Sequence, residues 1–93
     1  MDGSEVAFTL RGRVDSLSAP EFLAAFEKAA DAHVLTDAKV DMSHLEYISS
    51  AGLRVLLIMA KRLSVGQVTV TGASELIRSI FEQTGYDYVL TIA

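Results

Sequence analysis

Apolar and polar positions alternate along this chain with two different periods. Val6, Phe8 and Leu10 recur at every second position within VAFTLRGRV, residues 6–14, which predicts a half-buried strand. Gly12 marks a bend or bulge near its end. Asp15 and Ser16 then leave the strand for a loop. Phe22, Leu23, Phe26 and Ala30 follow at helical spacing and predict a helix to about Ala32, with Glu27, Lys28 and Asp31 on its solvated side. Ser18-Ala19-Pro20-Glu21 supplies the helix start, with Ser18 as cap, Glu21 reaching back and Pro20 in the first turn.

Residues 37–42 return to period two, with Ala38, Val40 and Met42 on one side. Ser43 and His44 predict a turn, after which Leu45, Tyr47 and Ile48 lead into the paired serines Ser49 and Ser50. Beyond them Leu53, Leu56, Leu57, Ala60 and Leu63 form a helical stripe that ends near Ser64, with Gly66 as stop signal. A short strand at residues 67–71 is broken by Gly72. Ser74 caps a third helix whose buried stripe is Leu76, Ile77, Ile80 and Phe81. Thr84-Gly85 ends it, and residues 88–92 predict a last strand. Alternation of strand and helix implies a single α/β domain over residues 1–93: a mostly parallel or mixed sheet of four to five strands with about three helices packed on it. In open sheets of this kind ligands and partners gather beyond the carboxyl ends of the strands. Ser49 and Ser50 lie at such an end, and Asp15 and Ser16 follow the first strand in the same way.

Composition narrows the function. With 51% hydrophobic and 22% charged residues in 93, the chain is a folded domain rather than a disordered segment. Eight basic against twelve acidic residues give a net charge of −4, which offers no general attraction to nucleic acid or anionic membranes. Without cysteine there is no disulfide framework and no thiolate metal site. No metal ligands and no cofactor are predicted. The longest apolar run, residues 55–60, is too short to insert across a bilayer. The opening MDGSEVAF has no basic region and no apolar stretch of signal length, so a cytoplasmic location is the expectation.

The candidate chemistry sits in the serine turn. One reading makes Ser50 an ordinary N-cap, worth roughly 0.5–2 kcal/mol. A capping box is missing, however, because the residues three beyond Ser49 and Ser50 are Gly52 and Leu53. Capping also does not call for two serines followed by the small Ala51 and Gly52, which leave the first turn open to a visitor. The other reading is a hydroxyl displayed at the positive end of a helix, a place suited to carrying negative charge. A nucleophilic serine would need a base. The chain offers only His33, near the end of the first helix, and His44, in the turn, and it has no G-x-S-x-G elbow. The GASE segment at Gly72 has too few glycines for a phosphate loop. No catalytic residue is therefore assigned, and an enzyme is not expected. On the outer side of the central helix, Arg54, Ile58, Lys61 and Arg62 oppose the leucine stripe, with Val55 and Met59 flanking them. That face reads either as a solvated helix back or as a partner surface with Ile58 and Val55 as anchors and basic residues as rim.

The run Asp41-Met42-Ser43 through Tyr47-Ile48-Ser49-Ser50-Ala51-Gly52-Leu53-Arg54-Val55-Leu56 resembles the STAS domain of bacterial anti-sigma factor antagonists. Gly12-Arg13-Val14-Asp15, Pro20-Glu21-Phe22, Val68 to Val70 and Thr84-Gly85-Tyr86 are similar to the same family's other elements, so the likeness spans nearly the whole chain. The resemblance implies a STAS-like fold and a partner-switching protein of transcription regulation. Such a protein binds an anti-sigma factor serine kinase when unphosphorylated, is released by serine phosphorylation and is restored by a serine phosphatase. Carried over by position, Ser50 matches the phosphoacceptor, with Ser49 as the rival, and Asp15 matches an acid near the site. Gly52 and Leu53 match the helix start. Asp15, Ser49, Gly52, Leu53, Arg54, Val55, Ile58 and Arg62 are the positions expected to meet the partner. Ser49 departs from the pattern, since family members often carry Asp there. The chain also has no room for the extra N-terminal strand and C-terminal helix that members often carry, so the domain is minimal or trimmed, and an apolar face left bare would favour a homodimer. Similar domains also serve as fixed subunits of larger assemblies, such as lipid-transport complexes or stress-sensor scaffolds, which is the alternative function.

Overall fold

A computed structural model describes residues 4–32, 35–63 and 67–93. Four strands, β1 (Ser4–Val14), β2 (Leu35–Ile48), β3 (Val68–Thr71) and β4 (Thr91–Ile92), form one sheet in the order β1-β2-β3-β4, with every neighbouring pair parallel. Helices α1 (Ala19–Ala32), α2 (Ser50–Arg62) and α3 (Glu75–Thr84) supply the crossovers. Because the order steps one way and parallel crossovers are right-handed, the three helices share one face of the sheet. Burial agrees. Ala38, Val40 and Met42 of β2 and Val68 and Val70 of β3 are fully buried towards the helices, while Glu5, Ala7, Thr9 and Arg11 of β1 and Lys39 of β2 are exposed on the other face. The core is completed by Phe22 and Phe26 of α1, Leu53, Val55, Leu56 and Met59 of α2, and Ile77 and Phe81 of α3. Phe8 joins it from β1, meeting Phe22 edge to face at 5.6 Å.

The structure corrects the expected turn at Ser43 and His44. β2 runs on through both residues as one 14-residue strand. It carries an extra residue against β1 at each of three register shifts, the second opposite Thr9–Arg11 and the third opposite Gly12–Arg13. Each bulge rotates the following side chains, so burial passes from Met42 to Leu45 to Ile48 in steps of three instead of two. At the second bulge the Asp41 carboxylate accepts the Ser43 N–H at 2.9 Å, a local bond of the kind that also makes turns. His44 lies exposed on this strand; His33, Ser64 and Gly66 fall outside the described residues.

Three further expectations change. Ser18 does not cap α1 through its side chain. Its carbonyl accepts the Glu21 and Phe22 N–H groups, while its hydroxyl turns back to the end of β1. Leu76 is 57% exposed, because α3 presents only the line through Ile77 and Phe81 to the sheet. The last strand shrinks to Thr91–Ile92, since Tyr86–Tyr88 close a 3₁₀ turn after Gly85 that swings Tyr88 into solvent and leaves Leu90 as the buried plug.

Gly52 fixes how close α2 comes to the sheet. A Cβ built there would stand 2.6 Å from Ile48 Cγ1 and 2.7 Å from Val14 Cγ1, both branched side chains locked in strands. Gly52→Ala should therefore destabilise the domain by ~1–3 kcal/mol for overpacking, partly offset by the ~1 kcal/mol helix preference of Ala. Urea denaturation will show a lower midpoint for the variant; an unchanged or raised midpoint would mean that the first turn of α2 can lift off the sheet at little cost.

Candidate functional site

The site forms where β1 and β2 end side by side. Val14 and Ile48 are register partners, and the Val14 carbonyl accepts the Ser49 N–H at 2.8 Å, so the last β-type bond is made by the first residue outside β2. Ser49, extended at φ −89° and ψ 175°, is the N-cap of α2: its hydroxyl accepts the Gly52 N–H at 3.4 Å and its carbonyl the Leu53 N–H at 2.9 Å. This reverses the expected placement of the cap, which had fallen on Ser50. Ser50 is instead the first helical residue, exposed, and its hydroxyl makes no hydrogen bond among the described residues. Two serines are present because they do different things. One closes the helix end, and the other stands on top of it.

Asp15 and Ser18 fold the neighbouring loop. Asp15 Oδ1 accepts the N–H groups of Leu17 at 3.0 Å and Ser18 at 3.1 Å, and the Ser18 hydroxyl accepts the Asp15 N–H at 3.0 Å. The Ser18 and Leu17 amides, followed by the Ser18 hydroxyl, hold the Asp15 carboxyl below its usual 3.8. The loop sets the start of α1 against the start of α2. Between them runs a groove of about 400 Å³ lined by Ser16, Ala19, Pro20 and Leu23 from the α1 side and by Ser50, Ala51, Arg54, Val55 and Ile58 from α2. Most of the lining is apolar. The polar groups, Ser16, Ser50 and Arg54, are all exposed, and Arg54 is one helical turn beyond Ser50.

The expected acceptor and partner residues do not all come together. Ser50, Arg54 and Ile58 come together in the groove. Val55, expected on the outer side of α2, is 3% exposed and forms part of the groove wall from within the core; Met59 is fully buried. α2 packs against α1 as well as the sheet, so its buried arc is wider than one stripe. Gly52 and Leu53 are also buried and set the helix position from beneath. Asp15 stays partly exposed beside the serine turn, with its Oδ1 engaged in the loop. Arg62 points elsewhere and pairs with Asp31 of α1 at 3.5 Å. The α1 half of the groove was not foreseen. Leu23 had read as core, and only the short side chain of Ala19 and the rigid Pro20 hinted at an open helix start. Among the described residues no group of acidic and histidine side chains is placed to hold a metal, and no helix is long and apolar enough to cross a membrane.

Comparison with known proteins places the chain in context. Residues 1–91 match the family model described as Mlab, STAS domain. The chain is 34% identical over 98 residues to the putative anti-sigma factor antagonist BtrV of Bordetella bronchiseptica, covering all of this chain and 80% of that protein. Among solved structures, the anti-sigma factor antagonist SpoIIAA in its unphosphorylated form superposes with a TM-score of 0.85 at 20% identity, over 100% of this chain and 84% of the other. The Bacillus cell fate determinant SpoIIAA in its phosphorylated form gives 0.74 at 20% identity, over 100% and 86%. The last two show the shared fold.

The division of labour between the serines has a direct test. Ser49→Ala should lose ~0.5–2 kcal/mol of stability, whereas Ser50→Ala should stay within ~0.5 kcal/mol of the parent. Chemical denaturation of both variants reads the difference, and equal losses would contradict it. The Asp15 loop adds an acid dependence. Because its folded pKa is depressed, its contribution is present above the unfolded value and is lost as pH falls through the folded one. Asp15→Asn should therefore unfold with a shallower pH slope than the parent below about pH 4, as followed by circular dichroism.

Proposed function

This chain belongs to the STAS-domain family, and we propose that it is an anti-sigma factor antagonist that works by partner switching. Unphosphorylated, it docks the start of α2 and the adjoining groove on an anti-sigma factor serine kinase, which then releases its sigma factor. The kinase transfers the γ-phosphoryl group of ATP to Ser50 Oγ. The O–H bond breaks, its proton passes to a base of the kinase, and ADP leaves. A serine phosphatase later hydrolyses the phosphoester and returns the free hydroxyl. The chain acts as a substrate and binding module, not as the enzyme.

The observation that carries this reading is the Ser50 hydroxyl: exposed, unbonded among the described residues, and set at the edge of an apolar groove. Ser49 is a poorer acceptor because its oxygen is tied to the Gly52 amide and the residue is partly buried. The names of BtrV and SpoIIAA support the antagonist role. The groove suits a protein partner, with Ile58 and Leu23 offering apolar contact and Arg54 a charged rim. The Asp15 loop holds the α1 side of that surface in place.

Phosphate at this position changes the interface without undermining the fold. A phosphoserine brings about −1.5 to −2 charge at neutral pH. At the first position of a helix it faces unpaired amide N–H groups and the positive end of the macrodipole, worth ~0.3–1 kcal/mol in its favour. Arg54 stands one turn along on the same surface. The added bulk fills the mouth of the groove, and the added charge repels any acidic group across it.

Ser50→Asp should keep its folded spectrum and thermal midpoint but lose partner capture by about tenfold or more, equivalent to ~1.4 kcal/mol. Ser50→Ala should keep capture and accept no phosphate. Pull-down from native cells, followed by mass-spectrometric mapping of phosphate on the recovered protein, tests both. Phosphate on Ser49 alone would reassign the acceptor. Equal capture by the parent and Ser50→Asp, with no phosphate found, would instead identify a fixed subunit of a larger assembly.

A further inference from the structure

The long edge of the sheet is open. β1 has eleven residues and a neighbour on one side only among the described residues, so the backbone groups along its other side are unpaired. Such an edge is a template for pairing, and folded proteins usually block it with proline, lysine or bulges. β1 has neither proline nor lysine. The extra residues at its three register shifts all lie in β2, so residues 5–9 run as a regular strand. The inner side chains Val6, Phe8 and Leu10 are only partly buried, in contrast to the fully buried Ala38, Val40 and Met42 beside them. A hollow lies next to the edge between β1 and α1, walled by Val6, Leu35 and the alanines of α1, with the charged Glu5 and Lys28 also in its lining.

We propose that this edge pairs with the same edge of a second copy, antiparallel and centred on Phe8, giving a two-fold symmetric dimer with one continuous sheet. The sequence of β1 is self-complementary in that register. Residues directly opposite each other point to the same face. On the exposed face Glu5 then meets Arg11 of the second copy, and Arg11 meets its Glu5, while Ala7 faces Thr9. On the inner face Phe8 meets Phe8, and Val6 meets Leu10 at the mouth of the alanine-lined hollow. Moving the register by one pair in one direction separates both charge pairs; in the other it sets Glu5 opposite Arg13 instead, but leaves Val6 facing Gly12 and breaks the Phe8–Phe8 contact. Glu5 is available for this, since its contact with Lys39 is long, at 3.7 Å, and both side chains are about half exposed. The two-fold axis stands perpendicular to the sheet, so both sets of helices remain on one side. The groove at Ser50 includes no residue of β1 and stays open in each copy.

The dimer is independent of the phosphorylation reading, and its test separates the two. Sedimentation of the 93-residue chain should show a dimer that dissociates on dilution, with a dissociation constant of about 10⁻⁶–10⁻⁴ M for an interface of this modest size. Glu5→Arg and Arg11→Glu each place like charges opposite one another twice and should each weaken the dimer roughly tenfold or more. Mixing the two variants should restore it, because each mixed pair again joins unlike charges. Ala7→Cys mixed with Thr9→Cys should give a disulfide-linked heterodimer, with no other cysteine in the chain to compete. Ser50→Asp should dimerise like the parent. A strictly monomeric parent at high concentration, single charge variants that dimerise normally, or a mixture that stays monomeric or fails to cross-link would overturn the proposal.

Discussion

The first turn of α2 lies against two strand ends at a distance only glycine permits. Val14 and Ile48 press on Gly52 from below, the Val14 carbonyl holds the Ser49 amide, and the Ser49 hydroxyl holds the Gly52 amide. These contacts form one closed set of constraints that ties β1, β2 and α2 together. With the helix pinned from beneath, the next residue, Ser50, has nowhere to point except outward. The display of that hydroxyl is therefore a by-product of close packing, and the packing does not depend on the hydroxyl. A protein that must carry a removable charge gains from this separation, because the group that changes is not one that holds the fold.

The same separation explains which parts of the site were legible in the sequence. The serine pair, the small residues after it and the helical stripe beyond are local patterns, and local patterns map directly onto a strand-to-helix turn. Which serine caps could not be read, because both are good caps and the choice depends on the bond from Val14, 35 residues away in the chain. The burial of Val55 and Met59 was hidden for a similar reason. A hydrophobic stripe shows that a helix has one buried side, but not that α1 will lie along its flank and widen that side. Leu76 errs in the opposite direction, being apolar in pattern yet placed where α3 meets no neighbour.

The order of elements was legible because strand and helix periods differ strongly. The course of β2 was not. Its bulges change the period from two to three midway, and Asp41-Met42-Ser43 carries the side-chain chemistry of a turn. A bulge and a turn begin with the same local bond, and only the neighbouring strand decides between them. β1 continues alongside through Val14, so β2 continues too and ends with Ile48 and the serines beside the end of β1. Laid out as a regular ladder, the same 14 residues would carry the serine turn past the end of β1; the three bulges take up the excess and set Ile48 beside Val14. The bulges are thus part of how the site is assembled.

The sheet, finally, has two kinds of boundary. Its carboxyl end is closed by helix starts and folded loops, and beside β1 and β2 the Ser49 cap and the Asp15 loop present a small, mostly apolar groove with the Ser50 hydroxyl at its rim. Its β1 edge is closed by nothing among the described residues, yet it is regular over residues 5–9, apolar and half-buried on the inner face and charged on the outer one. A surface meant only for solvent would not need the first two properties, and a surface prone to indiscriminate pairing would not place Glu5 and Arg11 at equal distances from Phe8. Charge placed symmetrically about an apolar centre favours the register centred on Phe8, and the inner face penalises its neighbour, in which Glu5 would meet Arg13 but Val6 would meet only Gly12. In such a dimer two Ser50 grooves would be carried by one rigid sheet, so each could be charged or emptied without reference to the edge that joins them.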